Sequence, residues 1–242
     1  MEPFIIWLIL SLWINLLMFI PAYFFKTDKL TDISYAITFI VLASLMIIYQ
    51  NVFFASILII IWALRLWTYL LIRIFTIKKD KRFDTMRASR TKFIKFWILQ
   101  GISVWVILLP FLLSSNNEIS LLWVGIRIIG LLIETIADYQ KFRFKSDKNN
   151  KRIDTWLRKY SRHPNYFGEI LCWIGIYVAV LPSLSFTNSL LGLISPVYII
   201  LLLLFVSGIP LLEKNDAKKR WQETAYKNYV KKTSILVPWF TK

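Results

Sequence analysis

Apolar runs of about twenty residues, long enough for a helix to cross a bilayer, recur along the chain between polar breaks. The first is Phe4–Phe25, with Asn15 as its one strongly polar side chain and Pro21 near its end. A short polar turn, Lys26–Asp32, leads into Ile33–Tyr49, and only Gln50 and Asn51 separate that run from Val52–Ile77. A basic loop, Lys78–Lys95, precedes Phe96–Leu113, which holds Gln100 near its start and Pro110 near its end. The Ser- and Asn-rich turn Ser114–Glu118 leads to Ile119–Phe142. A second basic segment, Arg143–Asn165, comes next, and its stretch Asp154–Tyr160 predicts an interfacial helix with Trp156 and Tyr160 at headgroup level. The last two runs are Tyr166–Leu181 and Ser189–Leu212, joined by the uncharged turn Pro182–Asn188, and Pro196 and Pro210 interrupt the second of them. The polar tail Glu213–Lys242 reads as helical through Tyr229, and its closing VPWF is expected to dock back on the bilayer. The pattern predicts an all-α, polytopic membrane protein: seven transmembrane helices in one domain spanning residues 1–242, with a cytoplasmic helical tail.

Composition and charge fix the orientation. The chain is 57% hydrophobic and 17% aromatic, more apolar surface than a soluble domain of this length can bury. Its formal net charge of +16 is concentrated: Lys78–Lys95, Lys141–Arg162 and Glu213–Lys242 hold eight, nine and eight of the 30 Lys and Arg. With seven spans, all three segments fall on one face, together with Lys26 and Lys29. Glu2, Glu118 and the uncharged turns fall on the other. The positive-inside rule then puts the N-terminus outside and the tail in the cytoplasm, as in a bacterial inner membrane. The basic charge serves topology and contact with anionic lipid, not nucleic acid, which would call for a dedicated soluble module. The first apolar run is long enough to span and reads as a membrane helix, not a cleaved signal. Cys172 is the single cysteine and His163 the single histidine, so neither a disulfide framework nor a Cys/His metal centre is expected. No obligatory protein partner is evident.

Ionisable groups inside the runs carry the candidate chemistry, because such groups are costly at membrane depth and there line cavities or ligand sites. Trp62, Arg65, Tyr69 and Arg73 are spaced three, four and four apart and make one helical stripe. Arg73 is near enough to the basic loop to snorkel, whereas Arg65 is about two turns deeper. In the fifth run Arg127, Glu134, Asp138, Lys141 and Lys145 share a face. Asp138 and Lys141 suit an internal pair, Arg127 suits a packing pair and a ligand contact equally, and Glu134 and Asp138 favour a ligand.

The polar corner Ser161–Glu169, reading SRHPNYFGE, opens the sixth run. Pro164 suits the first position of a helix, Asn165 and Glu169 share a face, and the amides of that first turn suit an anion. His163 is expected to contact a ligand rather than catalyse, since no paired acid stands beside it in sequence. In the tail, Glu213, Ala217 and Arg220 share a face next to Trp221, and Lys218 suits lipid phosphate or solvent. These features predict a cytoplasm-facing polar cavity walled by the third, fifth, sixth and seventh spans. Its cations, carboxylates and aromatics suit a long anionic ligand: a nicotinamide dinucleotide phosphate, a nucleotide sugar or a lipid phosphate. No GxGxxG occurs, so a Rossmann fold is not indicated.

The segment Gly130–Gly175, which includes GLLIETIADYQKFRFK and WLRKYSRHPNYFGEILCWIG, resembles the C-terminal half of the steroid 5-alpha-reductase family, in its bacterial branch long labelled a domain of unknown function. The tail GIPLLEKNDAKKRWQETAYKNYVKKTSILVPWF, the RLWTYLLIRIF stretch with its KDKRFDTMR loop, and QGISVWVILLP are similar to the same family. So is TDISYAITF, where Tyr35 and Ala36 replace the commoner Trp and Gly. The resemblance implies a seven-helix reductase that binds NADPH among its later helices (residues 115–242). The helices up to residue 114 face a lipophilic substrate, a steroid-like enone whose conjugated carbon–carbon double bond receives the hydride. It implies cofactor contacts at Arg65, Tyr69, Arg73, Asp138, Lys145, Asn165 and Glu169. Lys141, Arg162, His163, Tyr166, Glu213, Lys218, Arg220 and Tyr229 are further contact candidates. Trp62 stands where the steroid enzymes have Tyr and has no O–H to give, so Asp32 or Gln100 is expected to polarise the substrate carbonyl, with Glu134 near the nicotinamide.

A methyltransferase like the isoprenylcysteine carboxyl methyltransferases, using S-adenosylmethionine, shares the RHPxY corner. The deep arginines and the Glu213–Lys214 pair, in place of paired acids, count against it. A non-catalytic lipid or sterol binder on the same fold is the third reading.

Overall fold

The computed structural model describes residues 3–27, 29–50, 52–76, 89–146 and 156–239. Among them the ordered structure is helical, apart from one isolated bridge between Ser161 and Ser234. Among the described residues six helical stretches are long and apolar enough to cross a membrane: Phe4–Phe24, Lys29–Gln50, Phe53–Ile72, Arg90–Leu112, Pro164–Ser183 and Phe186–Arg220. These mark a multi-pass membrane protein. The remaining expected span is helical over Leu121–Ser146, but Arg127, Glu134 and Asp138 set it apart from the six.

Chain contacts divide the molecule into two units. The first, Met1–Ile119 with Val180–Ile194, holds α1 (Pro3–Phe24), α2 (Lys29–Gln50), α3 (Phe53–Thr76) and α4 (Arg90–Leu112). Helix α1 packs on α2 and α4, and α2 packs on α3. Interlocking aromatic rings fill one contact: Phe19 lies 5.5 Å from Phe93 and 6.2 Å from Trp97, edge-on to the latter. Trp62 is buried, with its ring 5.2 Å from Phe39, so the third-span stripe begins in the core.

A neutral polar network crosses the same unit. The amide nitrogen of Gln100 lies 2.8 Å from Asn15 Oδ1, 2.7 Å from Ser34 Oγ and 3.0 Å from the Thr31 carbonyl. Asn15 Nδ2 donates to the Ser11 carbonyl at 2.8 Å and to Thr38 Oγ1 at 3.2 Å, and Ser11 Oγ donates to the Gly101 carbonyl at 2.8 Å. Every one of these polar side chains is buried. Where lipid tails offer no hydrogen bonds, such cross-links replace the hydrophobic effect as glue between helices.

The second unit, Ser120–Ala179 with Ser195–Lys242, holds α5 (Leu121–Ser146), the single turn α6 (Leu157–Tyr160), α7 (Pro164–Val180), α9 (Ile194–Leu201), α10 (Ile209–Arg220) and α11 (Thr224–Lys232). A short helix, α8 (Phe186–Gly192), belongs to the first unit. The last expected span is not one continuous helix. After α9 the chain widens into a π-turn over Leu202–Val206, and Gly208, at φ −94° and ψ −100°, breaks it before Pro210 opens α10. A Cβ at Gly208 would lie 2.5 Å from the Leu203 carbonyl oxygen, so only glycine fits this re-aiming.

The tail departs from its expectation in that its helix is interrupted between Arg220 and Thr224. Its end folds onto the corner near Ser161 through main-chain bonds. The predicted interfacial helix over Asp154–Tyr160 is seen as the turn Leu157–Tyr160, and residues 151–155 lie outside the described chain.

Candidate functional site

Close packing of α5 on α7 builds the floor of the site. A Cβ on Gly168 would lie 2.6 Å from the Glu134 amide nitrogen and from the Gly130 carbonyl oxygen. One on Gly175 would lie 2.7 Å from the Arg127 amide nitrogen. The two helices therefore touch backbone to backbone and run antiparallel, as small-residue stripes allow in membranes. The contact fixes Arg127: its Nη1 donates to the Cys172 carbonyl at 3.2 Å, and its guanidinium sits 5.6 Å from the Trp173 ring centre. Arg127 thus tethers α5 to α7. Farther along the same buried face lie Glu134 and Asp138, both with interaction partners, and then half-buried Lys141.

The corner follows from local chain chemistry. Pro164 begins α7, and the His163 carbonyl accepts from the amides of Tyr166 and Phe167 at 3.1 and 3.2 Å. His163 is only 4% exposed. Its Nε2 lies 2.7 Å from Glu213 Oε1, and its ring stacks on Tyr166 with centres 5.7 Å apart. The other Glu213 oxygen accepts from Arg162 Nη1. The expectation that His163 has no paired acid is thereby corrected: the acid comes from α10, fifty residues on, delivered by the break at Gly208.

Bonds to main-chain carbonyls hold the rest of the corner. Arg158 Nη1 donates to the Arg162 carbonyl at 2.9 Å, and Tyr229 Oη donates to the Arg158 carbonyl at 2.7 Å. The Arg162 amide donates to the Ser234 carbonyl at 2.8 Å, and Ser161 Oγ donates to the Leu236 carbonyl at 2.6 Å.

Burial holds the His163 pKa below its ordinary 6.5, and repulsion from Arg158 and Lys141 adds to this. The hydrogen bond and charge of Glu213 oppose the shift without reversing it. A neutral imidazole facing Glu213 carries its proton on Nε2, which makes Nδ1 an acceptor. Nδ1 is buried and has no hydrogen-bond partner, and the same holds for Asn165 Oδ1, Arg162 Nε and both polar atoms of the Gln140 amide. Buried polar atoms of native proteins are nearly all bonded; others stand in the first unit, at Ser56 and Trp97 among them, but the unmet atoms of Arg162, His163 and Asn165 fall together at one corner, where a polar ligand or water would complete the set.

The sequence candidates fall into groups. Arg162, His163, Glu213 and Tyr229 meet at the corner, Asn165, Tyr166 and Glu169 occupy the first turns of α7, and Lys141 is close enough to repel a charge on His163. Lys218 is exposed and Arg220 half-buried on α10. Arg65 and Tyr69 are half-buried on α3 of the first unit, each with partners. The side chains of Asp32, Arg73 and Lys145 lie outside those described. Gln100 has its amide nitrogen committed to the α1–α2–α4 network, which leaves the carbonyl-polarising role expected of it without a donor. Arg158 and Ser161 were not anticipated as site residues. Arg158 stands four residues before Arg162, a spacing that would have flagged it, whereas nothing in the sequence links Ser161 to Leu236. Among the described residues no group of three or more His, Cys, Asp or Glu is placed to hold a metal ion.

Comparison with known proteins gives one family, described as "Protein of unknown function (DUF1295)", matching residues 18–233. No curated protein and no solved structure matches the chain.

Proposed function

Taking as premise that this chain belongs to the DUF1295 family, which is related to steroid 5-alpha-reductase-like membrane proteins, we propose that it is a membrane-embedded, NADPH-dependent reductase of a lipophilic enone. In this reading α5 is a seventh span and the basic segments, with the tail, are cytoplasmic. The observation that carries the reading is the corner around His163: buried acceptors without donors beside a cluster of fixed cations.

That donor set fits the cofactor. Arg158, Arg162 and Lys141 suit phosphate charge, and the orphaned acceptors His163 Nδ1 and Asn165 Oδ1 suit ribose hydroxyls or a carboxamide. When bound, NADPH supplies a hydride; the protein's part is to bind, orient and exclude water. Glu213 holds the Arg162 guanidinium and the His163 ring in fixed orientation, and stacking on Tyr166 keeps the imidazole from turning. Burial keeps that imidazole neutral, so its free nitrogen accepts.

Thermal stability of the purified protein with NADPH, NADH and S-adenosylmethionine tests this. NADPH at about a hundredfold excess over Kd is expected to raise Tm by roughly 5–10 °C. Enone-dependent NADPH oxidation should follow, and Asn165→Ala should weaken both. Protection by S-adenosylmethionine in place of NADPH would establish the methyltransferase reading. Protection by neither, with lipid binding retained, would leave only a lipid binder.

A further inference from the structure

The chain's end and the corner form an exposed aromatic and basic patch on the second unit. The Trp239 amide donates to the Tyr160 carbonyl at 3.3 Å, which brings the tail tryptophan to the same helical turn that Trp156 opens. Trp156 is 75% exposed and Trp239 69%, and Ile235 and Val237 on the same strap are exposed as well. Trp156 takes φ 57°, a sign rarely adopted by a non-glycine residue. Lys159 lies over the Tyr160 ring at 5.7 Å, and exposed Lys231 and Lys232 directly precede the strap. Neither residues 156–163 nor residues 224–239 contain an Asp or Glu.

Three observations name the occupant. The patch ends four residues before Pro164, where a helix able to cross a membrane begins, so it lies where that helix meets the headgroups. Tryptophan and tyrosine rings favour that layer, where one edge is dry and the other wet. The charge is of one sign and complements anionic lipid. We propose that this patch is a headgroup anchor: Trp156 and Trp239 enter the interfacial layer, and Lys159, Lys231 and Lys232 bind the phosphates of anionic phospholipids. The strap is thereby pressed onto the corner. The anchor does not depend on which cofactor the corner holds.

Hydrogen exchange of the full-length protein in phosphatidylcholine nanodiscs, with and without phosphatidylglycerol, tests the anchor. Amides of residues 156–163 and 233–239 should exchange roughly tenfold more slowly when phosphatidylglycerol is present. The triple variant K159Q/K231Q/K232Q, altered only at exposed positions, should lose that difference while its spanning helices keep their protection. Equal exchange of the wild type in the two discs overturns the proposal. So does protection that tracks protein concentration in lipid-free detergent, which would show that a second copy covers the patch.

Discussion

Two buried polar clusters, one in each unit, are built on opposite principles. The cluster around Gln100 is neutral and closed: its donors reach acceptors on α1 and α2, and its members lie in helix interiors. The cluster around His163 is charged and open: Glu213 satisfies Arg162 Nη1 and His163 Nε2, yet His163 Nδ1, Arg162 Nε and Asn165 Oδ1 remain unmet. Burying polar atoms is costly in either case. The first cluster recovers that cost within itself and so serves packing. The second does not, and a bound water, ion or ligand is the ordinary reason for such a set to be retained. A polar residue in a membrane helix is thus a weak sign of function until its partners are known.

The largest effect that separates the two should come from Gly168→Val. A side chain there meets α5 backbone at 2.6 Å, so α5 and α7 must part, and a loss of about 3 kcal/mol is expected. Tm in detergent should fall well below that of Gly125→Ala, where an added Cβ meets nothing within 4 Å and the change should stay within about 0.5 kcal/mol. If the two variants melt alike, α5 and α7 are not in backbone contact and the floor of the site is lost.

Glu213→Gln comes next. It keeps the shape and removes the charge shared by Arg162 and His163; with the Glu213 side chain 26% exposed, about 2 kcal/mol is expected. Here stability and ligand response should fall together, because the corner loses both its latch and the group that orients it. Gln100→Leu should cost about 1–2 kcal/mol, since Asn15 and Ser34 lose a donor in a medium that offers few replacements. Its NADPH-dependent rise in Tm should match that of the wild type. A selective loss of that response in Gln100→Leu would reverse the roles given to the two clusters.

The spans were legible because an apolar run of membrane length admits few other readings. Ile33–Tyr49 and Val52–Ile77 became Lys29–Gln50 and Phe53–Thr76. The buried face of α5 was legible too: the spacing of Arg127, Glu134 and Asp138 selects one side of a helix, and all three are buried. What joins distant segments was not. Glu213 reaches His163 from α10, which follows a π-turn and the break at Gly208, and a hydropathy pattern records neither. The strap on Ser161 is held largely by main-chain groups, which every residue carries alike. The commitment of Gln100 to Asn15, Ser34 and Thr31 was not legible either: a lone polar side chain in an apolar run reads the same whether its partners are helices or a substrate.

The smallest effect concerns the proton on His163, and it tests whether the corner accepts or donates. Burial lowers the folded-state pKa beneath the ordinary 6.5, so as pH falls the unfolded chain takes up the proton first. Stability linked to His163 is therefore full above 6.5 and declines as pH drops from there through the folded-state pKa, below which the loss is complete. His163→Asn keeps a donor for Glu213 and does not titrate. Between about pH 7.5 and about pH 5 the Tm of the wild type should fall relative to that of this variant. A relative rise would mean that Glu213 outweighs burial and that the ring is an imidazolium in the fold. Nδ1 would then carry a proton and act as a donor, and a hydroxyl or amide hydrogen could no longer be what that nitrogen binds.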